Sequence, residues 1–384
     1  MKLKLALAAT TALAFMTGMA LADSNDAVSN QTGNDNDTAI TQSSTLGNDG
    51  HKANSDVTGN HNTISIDQNS ATAAHGNASV LVNGDNGRGD YNAVTLKQSS
   101  FQGHTFGSGE HQNASVDIHG DRNTVNGTQK YGTDYEQNRL TVTIRGNGEG
   151  SGNTVNVNQS GNGETSTTTI WGDNNDVGVN QGAGANTATI YIDGNAGDDE
   201  GDGNKLNVRQ DHGTAPWGNL PGNTARITIY GDNNNASGGF SGDAATLAAG
   251  LTPGSIVQSG AANLVTLNVG GLSDSNSNAF AAKQVGISNT LTGNILGNHN
   301  QSVAVQSGDN NIAGLYQLGD SNNAAVSQAK FIPKNPTRND SGRNTVAITV
   351  RRFITSLSRV DTSVRYRSSR PASCSRCAAN RLAA

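Results

Sequence analysis

From about residue 33 to residue 350, apolar residues recur at every second position in short runs, and Gly, Asn and Gln frame each run at set intervals. Aligned on the last Gln, the unit is a ten-residue block, Gly-x-x-Asn-x-φ-x-φ-x-Gln, where φ is apolar. It reads Gly59-Asn60-His61-Asn62-Thr63-Ile64-Ser65-Ile66-Asp67-Gln68 and returns at Gly89 to Gln98, Gly120 to Gln129, Gly150 to Gln159, Gly172 to Gln181 and Gly201 to Gln210. Gly33 to Gln42, Gly297 to Gln306, Gly308 to Gln317 and Gly319 to Gln328 fit with weaker apolar positions. A period of two predicts a strand, and Gly beside Asp or Asn predicts the turn before it. A second kind of strand precedes most blocks, as in Asn113 to Ile118, Leu140 to Ile144, Asn186 to Ile192, Asn223 to Ile229 and Asn263 to Val269. Strand, Gly-Asp/Asn turn, strand, Gln and turn then compose one strand–arc–strand rung.

Rungs of this kind bury little alone and stack into a one-dimensional array, so the expected fold is all-β, a repetitive β-solenoid with two parallel sheets around a narrow dry core. Stacked rungs place equivalent residues about 4.8 Å apart. At that separation a side-chain amide donates to the rung on one side and accepts from the other, forming ladders that stacked carboxylates would oppose by repulsion. The expected ladder residues are Asn62 and Gln68, Asn92 and Gln98, Asn123 and Gln129, Asn153 and Gln159, Asn175 and Gln181, Asn204 and Gln210, Asn300 and Gln306, Asn311 and Gln317, and Asn322 and Gln328. Turns of an ordinary β-sandwich would also carry Asn and Gly. The fixed Gly-to-Gln interval over so many copies argues against that. Segments 101–112, 211–222 and 236–254 break the spacing and are expected to be loops extruded from arcs. In the block starting at Gly231, Phe240 stands where Gln is due, which predicts a degraded rung.

Spacing is strictest in two abutting copies of one phrase, Gln306 to Gln317 and Gln317 to Gln328, which share Gln-x-Gly-x-x-Asn-x-Ala-x-x-x-Gln. This pattern resembles the curlin repeat of curli fibre subunits, the extracellular functional amyloids of bacterial biofilms. The resemblance covers roughly residues 30–350. Terminal rungs of such a solenoid leave unpaired backbone groups, so self-association into a homopolymer by end-to-end rung stacking is expected. The resemblance implies export through a curli-type secretion pore, a nucleator or partner subunit, and a place in an extracellular fimbrium serving adhesion and biofilm matrix.

Composition supports an exported structural chain. Lys2, Lys4, the apolar run Leu5 to Met16 and Ala20-Leu21-Ala22 read as a signal peptide over 1–22. No later run is long enough to span a bilayer as a helix, so no membrane insertion is expected. Hydrophobic residues make up 33% and Gly 48 of 384 residues. Such a chain would be disordered if its apolar residues were not so strictly alternated. Residues 23–350 hold 15 basic and 30 acidic residues, a balance of −15 that argues against nucleic acid. Residues 351–384 reverse the sign with eight Arg against one Asp, and a divergent tail without regular structure is expected there. In Gly342 to Val350, Val350 stands where Gln is due.

Chemistry-bearing motifs are few. Asp85-Asn86, Asp198-Asp199-Glu200 and Asp202 are acid-rich, yet no Gly-Gly-x-Gly-x-Asp calcium run exists. The eight His lack metal-ligand spacing, and His61 and His299 share a turn position that predicts exposure. Arg88-Gly89-Asp90 falls on a repeat turn, and Cys374-x-x-Cys377 lacks a β-α-β context. No catalytic, metal or cofactor motif is present, so the chain is expected to be a non-enzyme without cofactor. A monomeric adhesin binding a surface or carbohydrate partner is the second expectation. It would call for capped ends and an aromatic row, and the main aromatic cluster is Trp171, Tyr191 and Tyr230.

Overall fold

The computed structural model describes residues 25–44, 50–70, 75–83, 89–100, 111–131, 137–145, 150–194, 201–212, 220–271, 275–329, 345–351 and 361–367. The expected signal peptide, the acid-rich spots 85–86 and 198–200, most of 101–112 and 211–222, and both Cys lie outside the described residues.

The fold is a β-solenoid of two parallel sheets, as the alternation predicts. In chain order the strands are β1 (Asp26–Thr32), β2 (Asp37–Ser44), β3 (Lys52–Thr58), β4 (Thr63–Ser70), β5 (His75–Val82), β6 (Ala93–Ser100), β7 (His111–Ile118) and β8 (Thr124–Tyr131). There follow β9 (Arg139–Arg145), β10 (Thr154–Gly161), β11 (Thr165–Trp171), β12 (Asp176–Gly182), β13 (Thr187–Asp193), β14 (Lys205–Asp211) and β15 (Thr224–Tyr230). After helix α1 (Gly242–Ala248) come β16 (Ser255–Ser259), β17 (Leu264–Val269), β18 (Ala279–Val285), β19 (Thr290–Leu296), β20 (Gln301–Ser307), β21 (Ile312–Leu318), β22 (Asn323–Ala329), β23 (Thr345–Arg351) and β24 (Asp361–Arg367). Odd-numbered strands up to β23, then β24, form sheet A, and even-numbered strands up to β22 form sheet B.

The core follows from the pleat. In β13 the buried residues are Ala188, Ile190 and Ile192, and Thr187, Thr189 and Tyr191 face outward. Register then aligns like with like along sheet A. Val57, Val82, Ile118, Ile144, Ile170, Ile192, Ile229, Val269 and Ile295 form one continuous buried column. Branched side chains suit such a pleated stack, and each contributes about 1.5–3 kcal/mol by burial.

Four expectations are corrected. First, successive eleven-residue phrases are half-rungs, not rungs: β20 and β22 lie in sheet B and β21 between them lies in sheet A. Second, the rung that starts at Gly231 is intact. The chain leaves it after Asn234 and returns at β16, where Gln258 pairs in register with Gln210 and Gln284. Phe240, expected at that Gln position, belongs to the excursion. The gap is closed by Gly254, whose carbonyl accepts from Asn207 N–H and whose own N–H donates to Phe280 O, and by Asn235, whose Oδ1 accepts from Phe280 N–H. Third, 236–254 is no plain loop. It carries α1, which packs Ala244 and Ala248 with Phe240, Leu247 and Leu251 against Val303 and Val305 on the outer face of β20. Fourth, Val350 is not a missing Gln. It registers with Gln317, in the sheet A column that is apolar from Val57 to Ile295.

The ends differ. At the N-terminal end β1 and β2 each have, among the described residues, a neighbour on one side only. Ala27 and Ser29, which register with the buried Ala53 and Ser55, are exposed there. At the C-terminal end, among the described residues, sheet B ends at β22, while sheet A continues through β23 to β24, which is antiparallel. The tail therefore contributes a strand where none was expected.

Candidate functional site

The repeated polar residues build three stacked amide columns. In the first arc of each rung, Asn36, Asn62, Asn92, Asn123, Asn153, Asn175, Asn204, Asn234, Asn278, Asn300 and Asn322 stand one above another. Each Asn from 62 to 278 donates Nδ2–H to Oδ1 of the preceding member at 3.0–3.1 Å. Asn322 repeats this to Asn300 at 2.9 Å. At Asn300 only the backbone N–H makes the step, to Asn278 Oδ1 at 2.8 Å, and its buried Nδ2 has no partner.

The second column runs through sheet B: Gln42, Gln68, Gln98, Gln129, Gln159, Gln181, Gln210, Gln258, Gln284, Gln306 and Gln328. Each of the first ten donates Nε2–H to Oε1 of the next at 2.7–3.0 Å. The same Nε2 groups reach across to sheet A, as Gln181 does to Thr165 O and Gln210 to Thr187 O. The glutamines thus tie neighbouring rungs and opposite sheets together. Their polarity runs toward the C-terminus and that of the first Asn column runs toward the N-terminus.

The third column was not anticipated, although its Asn residues open the sheet A strands in the sequence. Asn186, Asn223, Asn263, Asn289 and Asn311 hold the second arc, each later member donating Nδ2–H to the earlier Oδ1 at 2.9–3.1 Å. Toward the N-terminus the column changes chemistry. Glu164 accepts from Asn186 N–H through Oε2 and from its Nδ2–H through Oε1, and Gly76 N–H donates to His51 Nδ1 at 3.0 Å.

Sixteen of the eighteen expected ladder residues lie in the columns assigned to them, and Asn36, Gln42, Asn234, Gln258, Asn278 and Gln284 join them. Asn311 belongs to the third column. Gln317 belongs to none: it lies in sheet A beside Ile295, where it donates to Gln301 O and accepts from Ser302 Oγ. Pleat and arc geometry decide this, because the same letter meets a different sheet in alternate half-rungs.

Arc conformation is set by close stacking. Gly59 has φ +137°, and a Cβ there would stand 2.1 Å from Gly89 O in the next rung, which only Gly tolerates. His61 and His299 occupy the left-handed turn position at φ 56° and are exposed, as expected. Asp173, Asp202 and Asp232 stack on the arc rim, where Asp202 Oδ1 accepts from Asp173 N–H and Asp232 Oδ1 from Asp202 N–H. Among the described residues no group of three or more His, Cys, Asp or Glu is placed to hold a metal.

Burial makes the columns costly to interrupt. Nearly all of these amides are buried. Each satisfied bond contributes only about 0.5–1.5 kcal/mol net, yet an orphaned buried amide costs about 1–3 kcal/mol. A rung added in register satisfies one Asn and one Gln together. No family model matches this sequence, and neither a curated protein nor a solved structure matches it. The reading of the columns therefore rests on their geometry.

Proposed function

We propose that the chain is a secreted structural subunit that polymerises end to end into curli-like extracellular fibres for adhesion and biofilm matrix. The observation that carries this reading is the open N-terminal rung: among the described residues β1 and β2 present unshared edges, and inward positions of β1 that are buried in the next rung are exposed there. A solenoid end of that kind is a template for a further rung. The Gln column and the first Asn column each keep one direction of donation from rung to rung. A second copy stacked on this end in the same orientation, with the β23–β24 overhang of its sheet A displaced, continues them, its Gln column running into Gln42 and Asn36 running into its Asn column. Resemblance to the curlin repeat points the same way and adds a dedicated outer-membrane pore and a nucleating partner.

The columns make the test specific. Replacing Gln306 and Gln328 with Ala removes the last two members of the Gln ladder and slows fibre elongation severalfold. Gln317→Ala, outside the ladder, costs some stability and leaves elongation per folded molecule near wild type. Elongation followed by dye binding at matched monomer concentration separates the two. Equal rates in the double variant and the wild type would refute the ladder mechanism.

A further inference from the structure

The outer wall of sheet A is mostly a lawn of short polar residues. Thr141, Thr167 and Thr189 align in one outward row and Thr143 and Thr169 in the next. Over five consecutive strands, β7 to β15, larger chemistry replaces that lawn near the first arc. Arg145 registers with Trp171 and Asp193 with Tyr230, and both pairs directly follow the Ile170–Ile192 pairing that joins β11 to β13. Tyr191 stands one row inward, its ring 6.0 Å edge-on from Tyr230 and its hydroxyl donating to Asp193 at 2.6 Å. Arg145 holds Asp117 at 2.7 Å across the rung, and its buried Nε has no partner. Burial, with the Asp193 contact adding to it, pushes the Tyr191 hydroxyl well above the usual range for a phenol, so it stays a neutral donor.

The three aromatics are not part of the core, in which Phe280 is the only large aromatic side chain fully buried among the described residues. They are half-buried on the wall, and strands such as β3 do without them, carrying Lys52, Asn54, Asp56 and Thr58 outward. Flat rings beside hydroxyl, carboxylate and guanidinium groups suit a ligand that is apolar on its faces and hydroxylated at its edges. Trp171 and Tyr230 are two strand spacings apart, about 9.6 Å. That is close to the length of one disaccharide repeat in an extended β-1,4-linked chain. A chain lying along the solenoid axis would set successive equivalent sugar faces on these two rings and the sugar between them near Tyr191. The balance of −15 over residues 23–350 opposes a polyanionic ligand.

The geometry points to this stripe as a binding platform for a neutral β-1,4-linked glycan, aligned with the solenoid axis. The site is on the side wall and does not depend on polymerisation, since rung stacking covers the ends and leaves the wall exposed.

The test measures binding of the full chain, kept monomeric by low concentration, to microcrystalline cellulose and to cellohexaose. Wild type is expected to bind both. The variant combining Trp171→Ala and Tyr230→Ala should bind at least tenfold more weakly, with unchanged melting temperature and fibre elongation, because both positions face outward. Tyr91→Ala, at an exposed arc position where its ring stacks on His61, is the aromatic control and should bind as wild type does. The proposal is overturned if wild type binds neither probe, or if the double variant binds equally well. It is also overturned if binding appears only at concentrations where the chain self-associates, which would make the stripe a contact between copies.

Discussion

Thr168 and Gln317 show how strictly each inward position of this solenoid is tied to its column. Thr168 is fully buried between Val142 and Ile190 in register, and its Oγ1 has no hydrogen-bond partner. The hydroxyl was desolvated without compensation, a cost of about 1–3 kcal/mol. Thr168→Val keeps the shape, matches its neighbour and should raise stability by about 1 kcal/mol in urea unfolding of the monomer. A drop in stability would mean that the hydroxyl has a partner after all. Gln317 is the opposite case, a polar residue in the same sheet whose amide is satisfied by Ser302 and Gln301. Buried polarity is tolerated here according to its partners and not its letter. Glu164 fits the same rule, since its two oxygens accept the two N–H groups that an Asn at that position would have received through one.

At the scale of elements, the outward face of sheet B explains why an excursion of the chain settles where it does. In β8 that face carries Thr124, Asn126 and Thr128, whereas β18 and β20 turn out Ala279, Ala281, Val303 and Val305. Helix α1 covers Val303 and Val305, with Ala244 N–H donating to Asn323 Oδ1 and Asn323 Nδ2 donating to Ser241 O at the last strand of the sheet. Replacing Phe240 and Leu247 with Ser should loosen this clasp, increase binding of an apolar dye by the monomer and lower its stability by about 1–3 kcal/mol, with the columns intact. No change in dye binding would mean that the helix is not what shields Val303 and Val305. These elements also show what was legible in the sequence. Strand period, Gly-Asn arcs and the pairing of Asn with Gln could be read directly, because each is a local consequence of the pleat or of a close backbone approach. The 22-residue length of the shortest rungs, from Asn278 to Asn300 to Asn322, could not, because both half-rungs spell nearly the same phrase. Nor could the link from Asn234 to Gln258, where the excursion separates two halves of one rung. The third column was hidden by its own interruptions at His51, Gly76 and Glu164.

At the scale of the whole molecule, asymmetry between the ends decides how the chain can grow. The N-terminal end offers two parallel edges, while at the other end antiparallel β24 covers β23 and sheet A overhangs sheet B. An antiparallel strand breaks the parallel register that a new rung needs, so the tail restrains one end. Truncation after Arg351 removes β24 and should shorten the lag before polymerisation. A longer lag would mean that the tail promotes nucleation instead. The central claim is that folded copies stack rung on rung into one continuous ladder. Its most direct measurement is unseeded polymerisation of residues 23–350, diluted from denaturant, scored for SDS-resistant polymer and for fibre diffraction along the growth axis. The account predicts resistant polymer after a lag, abolition of that lag by preformed seeds, and a reflection near 4.8 Å along the fibre. A soluble monomer that stays unchanged with and without seeds would contradict it.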